Sequence, residues 1–584
     1  MTKRRSMMIF KHLTIKNFRN FKEVDIDLTN RNIIFGLNDI GKSNFLAALR
    51  YLLDRNYRRD GFIDSDYYNK DTSKEISITL TIQIDDNEDD SDNKKIFKMM
   101  KGAITSDAEV VFIQLNATYD KKRLVGEPNL FWGIDLDNLE DIPSKQQYFE
   151  LDKHINVVYI DSSIQLESTF KKYSKEIFKK ESSLTDEERE DLTTKIEELN
   201  DSVGDLSAIK TFEQEIVEEY KKFRDEQGFN VTIKSEIEVS NLHSKLTPYI
   251  LNEVCETYPT AGDGRKKILA YTLLTLENRR QEEEKINIFL IEEIENHLHR
   301  SMQIALSYQI FSDEVFKYLF MTTHSSLIVS QMDEVKLIKL FKDCLVIGKS
   351  HTYIVPEEYK TLKQKLNQNL AEAIYADVVL LVEGPSKKIL FERVLHDKCQ
   401  RYESLGGYIL EVDGINFSEY YNILTCLGIE VIVRTDNDLR FNKSRGDVNL
   451  LGVNRCLSLI SEDSVDNLQI NDVDEYEAEE EYRKDVKREI YDDHYSEEID
   501  DLIMSNIYLS RIDLENDLYE AIQELMDDFA SDNNSSKNGV DYLQEAKMKH
   551  MIGLCKYMNI NDIDVIYNHD RFECIRELVS LCCQ

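Results

Sequence analysis

The run "IIFGLNDIGKSNFLAAL", from Ile33 to Leu49, constrains the fold most. An apolar stretch enters a loop that fits G-x-x-x-x-G-K-[ST], with Gly36, Gly41, Lys42 and Ser43 at the fixed places, and a helical pattern follows. A strand, a loop and a helix are the structure that makes this spacing useful. The glycines let backbone N–H groups curl round phosphate oxygens, and the helix N-terminus adds positive potential. Lys42 then reaches the β- and γ-phosphates, Ser43 ligates Mg²⁺, and Asn38 lines the loop. The expectation is an ATP site.

Such a loop needs acids at the end of another strand. "INIFLIEE" supplies Glu292 for the Mg²⁺ shell and Glu293 to polarise water. "PTAGDGRKK" (Pro259 to Lys267) is a small-residue turn that opens a basic helix. It reads either as a plain turn or as a donor surface in which Gly262, Gly264 and Arg265 face a γ-phosphate held by a second subunit. "TTHSS" puts His324 at a strand end, where it can sense that phosphate. Around these motifs "IFKHLTIKNFRNF" and "KEVDIDLTNRNIIF" read as two alternating strands, and "ISITLTIQI" and "VVYIDSS" as two more.

A second strand–helix alternation begins near Tyr375. "LLVEGPSKK" ends a buried strand with Glu383, and "VIVRTDNDL" ends another with Asp436 and Asp438. Carboxylates at strand C-termini converge on one edge of a parallel sheet, and three of them suit Mg²⁺ or Mn²⁺. "SRIDLENDL" adds Asp513, Glu515 and Asp517 at a helix start, and "LQEAKMKH" adds Lys547. Each acid alone reads as a turn residue or helix cap. Together, acids, metal and a lysine are the parts that phosphodiester cleavage needs.

The chain has 584 residues and a formal net charge of -37. That balance argues against non-specific coating of DNA, and for contact bridged by metal or restricted by geometry. The nine cysteines carry no zinc spacing and read as reduced thiols, so a cytoplasmic location is expected. No run of about 18 apolar residues appears, so no membrane contact is expected. From about Leu166 to Gln227 a highly charged helical segment interrupts the strands. It reads as a solvated helical pair, or as an insertion for dimerisation.

The order of loop, "GDGRKK", "FLIEEIENHLH" and "TTHSS", after "LTIKNFRNFK", resembles the ABC-type ATPases of the SMC/RecF class. The Glu-Gly and Asp-x-Asp signatures resemble Toprim, and an ATPase followed by Toprim is similar to the OLD (overcoming lysogenization defect) nucleases. "GLNDIGK", "AGDGRKK", "LHRSMQIALS", "RTDNDL" and "IDLENDLY" extend the likeness to nuclease subunits of Gabija anti-phage systems. The resemblance implies an α/β fold, with an ATPase N-terminal part at 1–165 and a helical dimerisation insert at 166–240. The ATPase C-terminal part would follow at 241–370 and Toprim at 371–584. It implies an ATP-regulated endonuclease that cuts double-stranded DNA, with a homodimer or homotetramer and a UvrD-like helicase partner. Glu383, Asp436 and Asp438 match the Toprim signature, and Asp517 and Lys547 match the later acid and lysine. Two departures stand out. Ile294 replaces a common Pro after the double Glu, and Lys387 stands where relatives often have an acid that Glu515 or Glu392 would have to replace. The rival readings are a non-nucleolytic ATPase clamp and, with thirty tyrosines present, a Toprim topoisomerase.

Overall fold

A computed structural model describes residues 8–36, 40–84, 91–100, 109–145, 148–163, 169–170, 186–211, 213–214, 263–281, 285–332, 334–342, 347–354, 363–412 and 417–583. Three strands rather than two open the chain: β1 (Ile9–Phe18), β2 (Phe21–Asp27) and β3 (Arg31–Phe35). The second sequence run breaks because Asn32 accepts from the Thr29 N–H at 3.0 Å and the Thr29 hydroxyl donates to Arg31 O at 2.8 Å. Such local side-chain bonds favour a turn over a continuing ladder. The break sends the two strands into different sheets.

The first sheet is antiparallel. It pairs β2, β1, β4 (Ile76–Gln83), β5 (Val110–Asp120) and β6 (Val125–Gly133), in that order. The second contains β7 (Ile155–Ile160), β8 (Ile286–Glu292), β9 (Leu319–Thr322), β10 (Lys336–Lys342) and β11 (Ile347–Ile354). Its order is β7-β8-β9-β3-β10-β11, with all but β11 parallel. Helix α1 (Lys42–Leu53) leaves β3 and buries Phe45, Leu46, Leu49 and Leu52. α2 (Asp186–Gly204) and α3 (Asp263–Gln281) lie either side of residues 215–262. The expected dimerisation insert therefore lies largely outside the described residues.

α4 (Lys363–Ala373) leads into the third sheet, whose order is β13-β12-β14-β15. Its strands are β12 (Val378–Val382), β13 (Gly407–Glu411), β14 (Glu430–Thr435) and β15 (Ile507–Leu509), all parallel. Around it stand α5 (Pro385–Lys398), α6 (Leu451–Leu459), α7 (Leu514–Asp532) and α8 (Lys547–Tyr557). β12 is buried at all five positions, as a strand covered on both faces should be. One apolar cluster runs from Ile33, Phe35 and Leu337 through Leu370 and Ala373 to Val379, Leu381 and Leu509, so the two α/β units share a core. No described helix is long and apolar enough to cross a membrane.

A buried ion pair fixes the end of α1. Arg58 donates to Leu52 O at 2.8 Å, Tyr51 O at 3.2 Å and Asp152 Oδ1 at 2.5 Å, with both charged side chains 2% exposed. Removing one partner strands a charge in the core. Asp152→Ala should destabilise the N-terminal unit by about 3–5 kcal/mol, read from urea unfolding.

Candidate functional site

Parallel pairing places the ATPase motifs together. Ile34 lies opposite Thr322, and Thr322 opposite Glu292. The loops leaving β3, β9 and β8 therefore emerge side by side. Gly41 has φ 106°, in the left-handed region, and a Cβ there would collide with the Asn20 side chain. Asn20 in turn donates to Ile40 O at 2.8 Å and accepts from Asn44 at 2.7 Å. The "NFRN" turn thus braces the phosphate loop, a role that the sequence motif did not reveal. Lys42 Nζ is buried and donates to Gly36 O at 3.1 Å, while Ser43 is exposed on the first turn of α1. Asn38 lies outside the described residues.

Glu292 ends β8, and Tyr159 on β7 is bonded to it; burial and then the Glu292 charge raise the tyrosine's pKa. Glu293 has φ 42°, and its N–H donates to Thr322 O at 3.0 Å. Asn296 donates to Glu293 Oε2 at 2.8 Å, and His324 Nε2 lies 3.9 Å from Glu293 Oε1. A non-glycine residue in the left-handed region costs of order 1–3 kcal/mol and persists where the surroundings over-determine it. Here they do: Ile294 is fully buried and anchors the loop. Glu295 was not singled out in the sequence. It accepts from Thr323 Oγ1 at 2.9 Å and from the His324 N–H at 2.5 Å, which fixes the histidine's backbone.

Only part of the basic turn lies among the described residues. Gly262 lies outside the described residues, and Arg265 is exposed. At Gly264 a Cβ would come 2.9 Å from Met302 Sδ and 3.3 Å from His297 O. Lys267 turns inward, donating to Asn296 O at 2.8 Å and Ser162 O at 3.3 Å.

The second cluster sits at the carboxyl edge of the third sheet. Glu383 directly follows β12, and its Oε2 accepts from Thr435 Oγ1 at 3.0 Å and from the Asp436 N–H at 3.2 Å. Asp436 Oδ1 accepts from Ser510 Oγ at 3.0 Å. Burial works against the Asp436 charge, but the Lys387 ammonium at 2.6 Å holds that carboxyl below its ordinary pKa. Arg455 on α6 reaches Asp438 Oδ2 at 2.7 Å, Thr435 Oγ1 at 2.5 Å and Glu383 Oε2 at 3.5 Å. Gly452 makes this approach possible, since a Cβ there would lie 2.7 Å from Asp436 O and 2.8 Å from Asp438 N. Neither Arg455 nor Gly452 has a spacing that sequence reasoning could have used.

The later acid and lysine separate. Asp517 is fully buried and pairs with Arg434, also accepting from the Arg511 N–H at 3.2 Å. It is thus occupied in neutralising a buried guanidinium. Burial opposes the Arg434 charge, but Asp517 raises its pKa. Glu515, 1% exposed, instead takes Lys547, whose Nζ is 3.3 Å from Glu515 Oε2. Burial raises the Glu515 pKa against Lys547; for Lys547, Glu515 and then Asp436 outweigh burial and keep it protonated. Glu392 is half-exposed near Lys388, 3.9 Å away.

The donors of this edge fit a hard divalent ion by chemistry: carboxylate oxygens of Glu383, Asp436 and Asp438 on adjacent loops. Among the described residues no three acid, histidine or cysteine side chains stand close enough to hold an ion as they are. Lys387 and Arg455 occupy the spaces between these carboxylates.

The chain matches the family model for an AAA ATPase domain over residues 8–127 and 88–329. It matches that for the overcoming lysogenization defect protein-like TOPRIM domain over 374–438. It is 42% identical over 582 residues to "Endonuclease GajA" of Bacillus cereus (strain VD045), with 98% of this chain and 99% of the relative covered. It is 23% identical over 333 residues to "DNA replication and repair protein RecF" of Streptococcus agalactiae serotype Ia, with 51% and 88% covered. Likewise it is 23% identical over 380 residues to an "ATP/GTP phosphatase" of Helicobacter pylori, with 59% and 94% covered. Fold and family models together define an AAA ATPase domain joined to a Toprim unit. The chain belongs to the OLD (overcoming lysogenization defect) family.

Burial, and then the nearby charge of Lys42, lower the His324 pKa from 6.5. The folded protein therefore favours the neutral ring. That contribution is whole above about pH 6.5 and is lost as pH falls below it, because the unfolded chain takes up the proton first. The melting temperature of the wild type should fall more steeply between about pH 6.5 and 5.5 than that of His324→Gln; parallel curves would contradict the assignment.

Proposed function

We propose that this protein is an ATP-binding, divalent-metal-dependent DNA endonuclease of an anti-phage defence system, with the ATPase head regulating the Toprim centre. The observation that carries the reading is the convergence of Glu383, Asp436 and Asp438 at the carboxyl ends of adjacent parallel strands, beside Lys547. A divalent ion bound there, Mg²⁺ or Mn²⁺, supplies an activated water and stabilises the leaving oxygen. Glu383, Asp436 and Asp438 form the acidic edge that would hold that ion. Thr435 and Ser510 orient the first two carboxylates, and Lys547 places positive charge near the scissile phosphate of double-stranded DNA. Asp517 acts by positioning Arg434.

In the head, Gly36, Asn38, Gly41, Lys42 and Ser43 would hold ATP with Mg²⁺, Glu292 would supply a carboxylate to the ion, and Glu293 would orient water beside His324. Gly262, Gly264 and Arg265 contribute to a site completed by a second copy, in a homodimer or homotetramer. The division at 165, 240 and 370 and a UvrD-like helicase partner belong to this proposal. The clamp reading is disfavoured by the endonuclease relative that spans nearly the whole chain.

Contact between the units suits regulation. Tyr375 donates from its hydroxyl to Thr323 O at 3.3 Å, next to His324, and its ring packs edge-on to Phe35, 5.7 Å away. Lys339 donates to Ala376 O at 2.8 Å. The strand ends that hold nucleotide thus touch the residues that begin the Toprim sheet.

A plasmid-cleavage titration tests the division of labour. Glu383→Ala should abolish cleavage in Mg²⁺ and Mn²⁺ while keeping ATP binding; residual cutting would refute the Toprim centre. Lys42→Ala should keep cleavage without nucleotide but lose any response to ATP. That response should be on the order of 5- to 150-fold. Glu293→Gln should bind ATP and hydrolyse it at least about 10²-fold more slowly, measured by phosphate release. Tyr375→Phe should keep both activities and weaken their coupling, and an unchanged ATP response would place the coupling elsewhere.

A further inference from the structure

The position where an acid was expected holds the least exposed cation of the nuclease cluster after Arg434. Lys387 is 4% exposed on the third residue of α5, two residues after the Pro that starts the helix. Helical side chains lean toward the N-terminus, so this lysine points back at the strand ends. Its Nζ lies 2.6 Å from Asp436 Oδ2 and 3.8 Å from Glu383 Oε2, between the first two carboxylates of the centre.

The charges reinforce the geometry. The carboxylates of Glu383, Asp436, Asp438, Asp513 and Glu515 face the cations Lys387, Arg455 and Lys547. Five negative groups against three positive ones leave two net negative charges. One divalent ion neutralises the centre. A second would give the centre two net positive charges beside a buried ammonium.

We propose that Lys387 is a built-in cation that takes the place of one metal, so that the centre works with a single bound divalent ion. This rests on the reading of the cluster as a metal-dependent nuclease. The ion then has Asp438 and the remaining oxygen of Glu383 as its main anionic ligands, and the ammonium stays fixed whatever the metal concentration.

The test is Mn²⁺ binding to the full-length, nucleotide-free protein, followed by the electron paramagnetic resonance of free Mn²⁺. Glu383→Ala, measured in parallel, subtracts ions bound elsewhere. The wild type should show one Glu383-dependent Mn²⁺ per chain. Lys387→Glu should show two, and Lys387→Met should bind the first about 10-fold more tightly, roughly 1.4 kcal/mol. Two Glu383-dependent ions in the wild type overturn the proposal, as does a Lys387→Glu protein that folds and still binds one with unchanged affinity. If Lys387→Glu does not fold, the wild-type stoichiometry and Lys387→Met decide. No Glu383-dependent Mn²⁺ at all would remove the metal-centre reading itself.

Discussion

A strand in a parallel sheet hands its chain on at one edge only, and every site in this protein is built from that constraint. In the second sheet the loops after β3, β8 and β9 leave from the same edge, so a phosphate loop, two glutamates and a histidine meet although nearly 300 residues of chain separate the first from the last. In the third sheet the same wiring brings Glu383 beside Thr435 and Asp436 beside Ser510. Backbone pairing fixes the strand ends to within a fraction of a residue. Short side chains such as Asp and Thr can then meet without long, entropically costly reaches.

Clustered acids on such an edge repel one another, and the two sites answer this differently. Around Glu293 the acids are spread along a loop and held by backbone and amide donors, with Lys267 beneath them. In the Toprim cluster the compensation is ionic, with Lys387, Arg455 and Arg434 each set against a particular carboxylate. In this cluster the buried cations sit where the acids would otherwise protonate or separate. The cost is a centre whose capacity for metal charge is already partly used.

The two units are not beads on a string. The apolar cluster that carries Phe35 and Leu337 continues into Val379 and Leu381, and Tyr375 touches both the phosphate-loop strand and the carbonyl beside His324. Packed cores move between discrete arrangements rather than deforming smoothly. The Thr323–His324 segment is thus in direct contact with the residues that lead into β12.

The sequence by itself determined the strands that carry the motifs, the phosphate loop and the acids at strand ends, because these are local patterns of apolar period, glycine and charge. It also held the family likeness, which rests on motif order. It did not determine that Phe21–Phe35 divides between two sheets, because that depends on side-chain bonds at Thr29 and Asn32. Nor did it show that Asp517 answers Arg434 while Glu515 answers Lys547. Those two acids lie two residues apart at one helix start, and only the packing of α7 against β14 and α8 decides which way each points. Lys387 makes the same point. In the sequence it is a missing ligand, whereas in the fold the lean of a helix side chain turns it into a cation between two carboxylates.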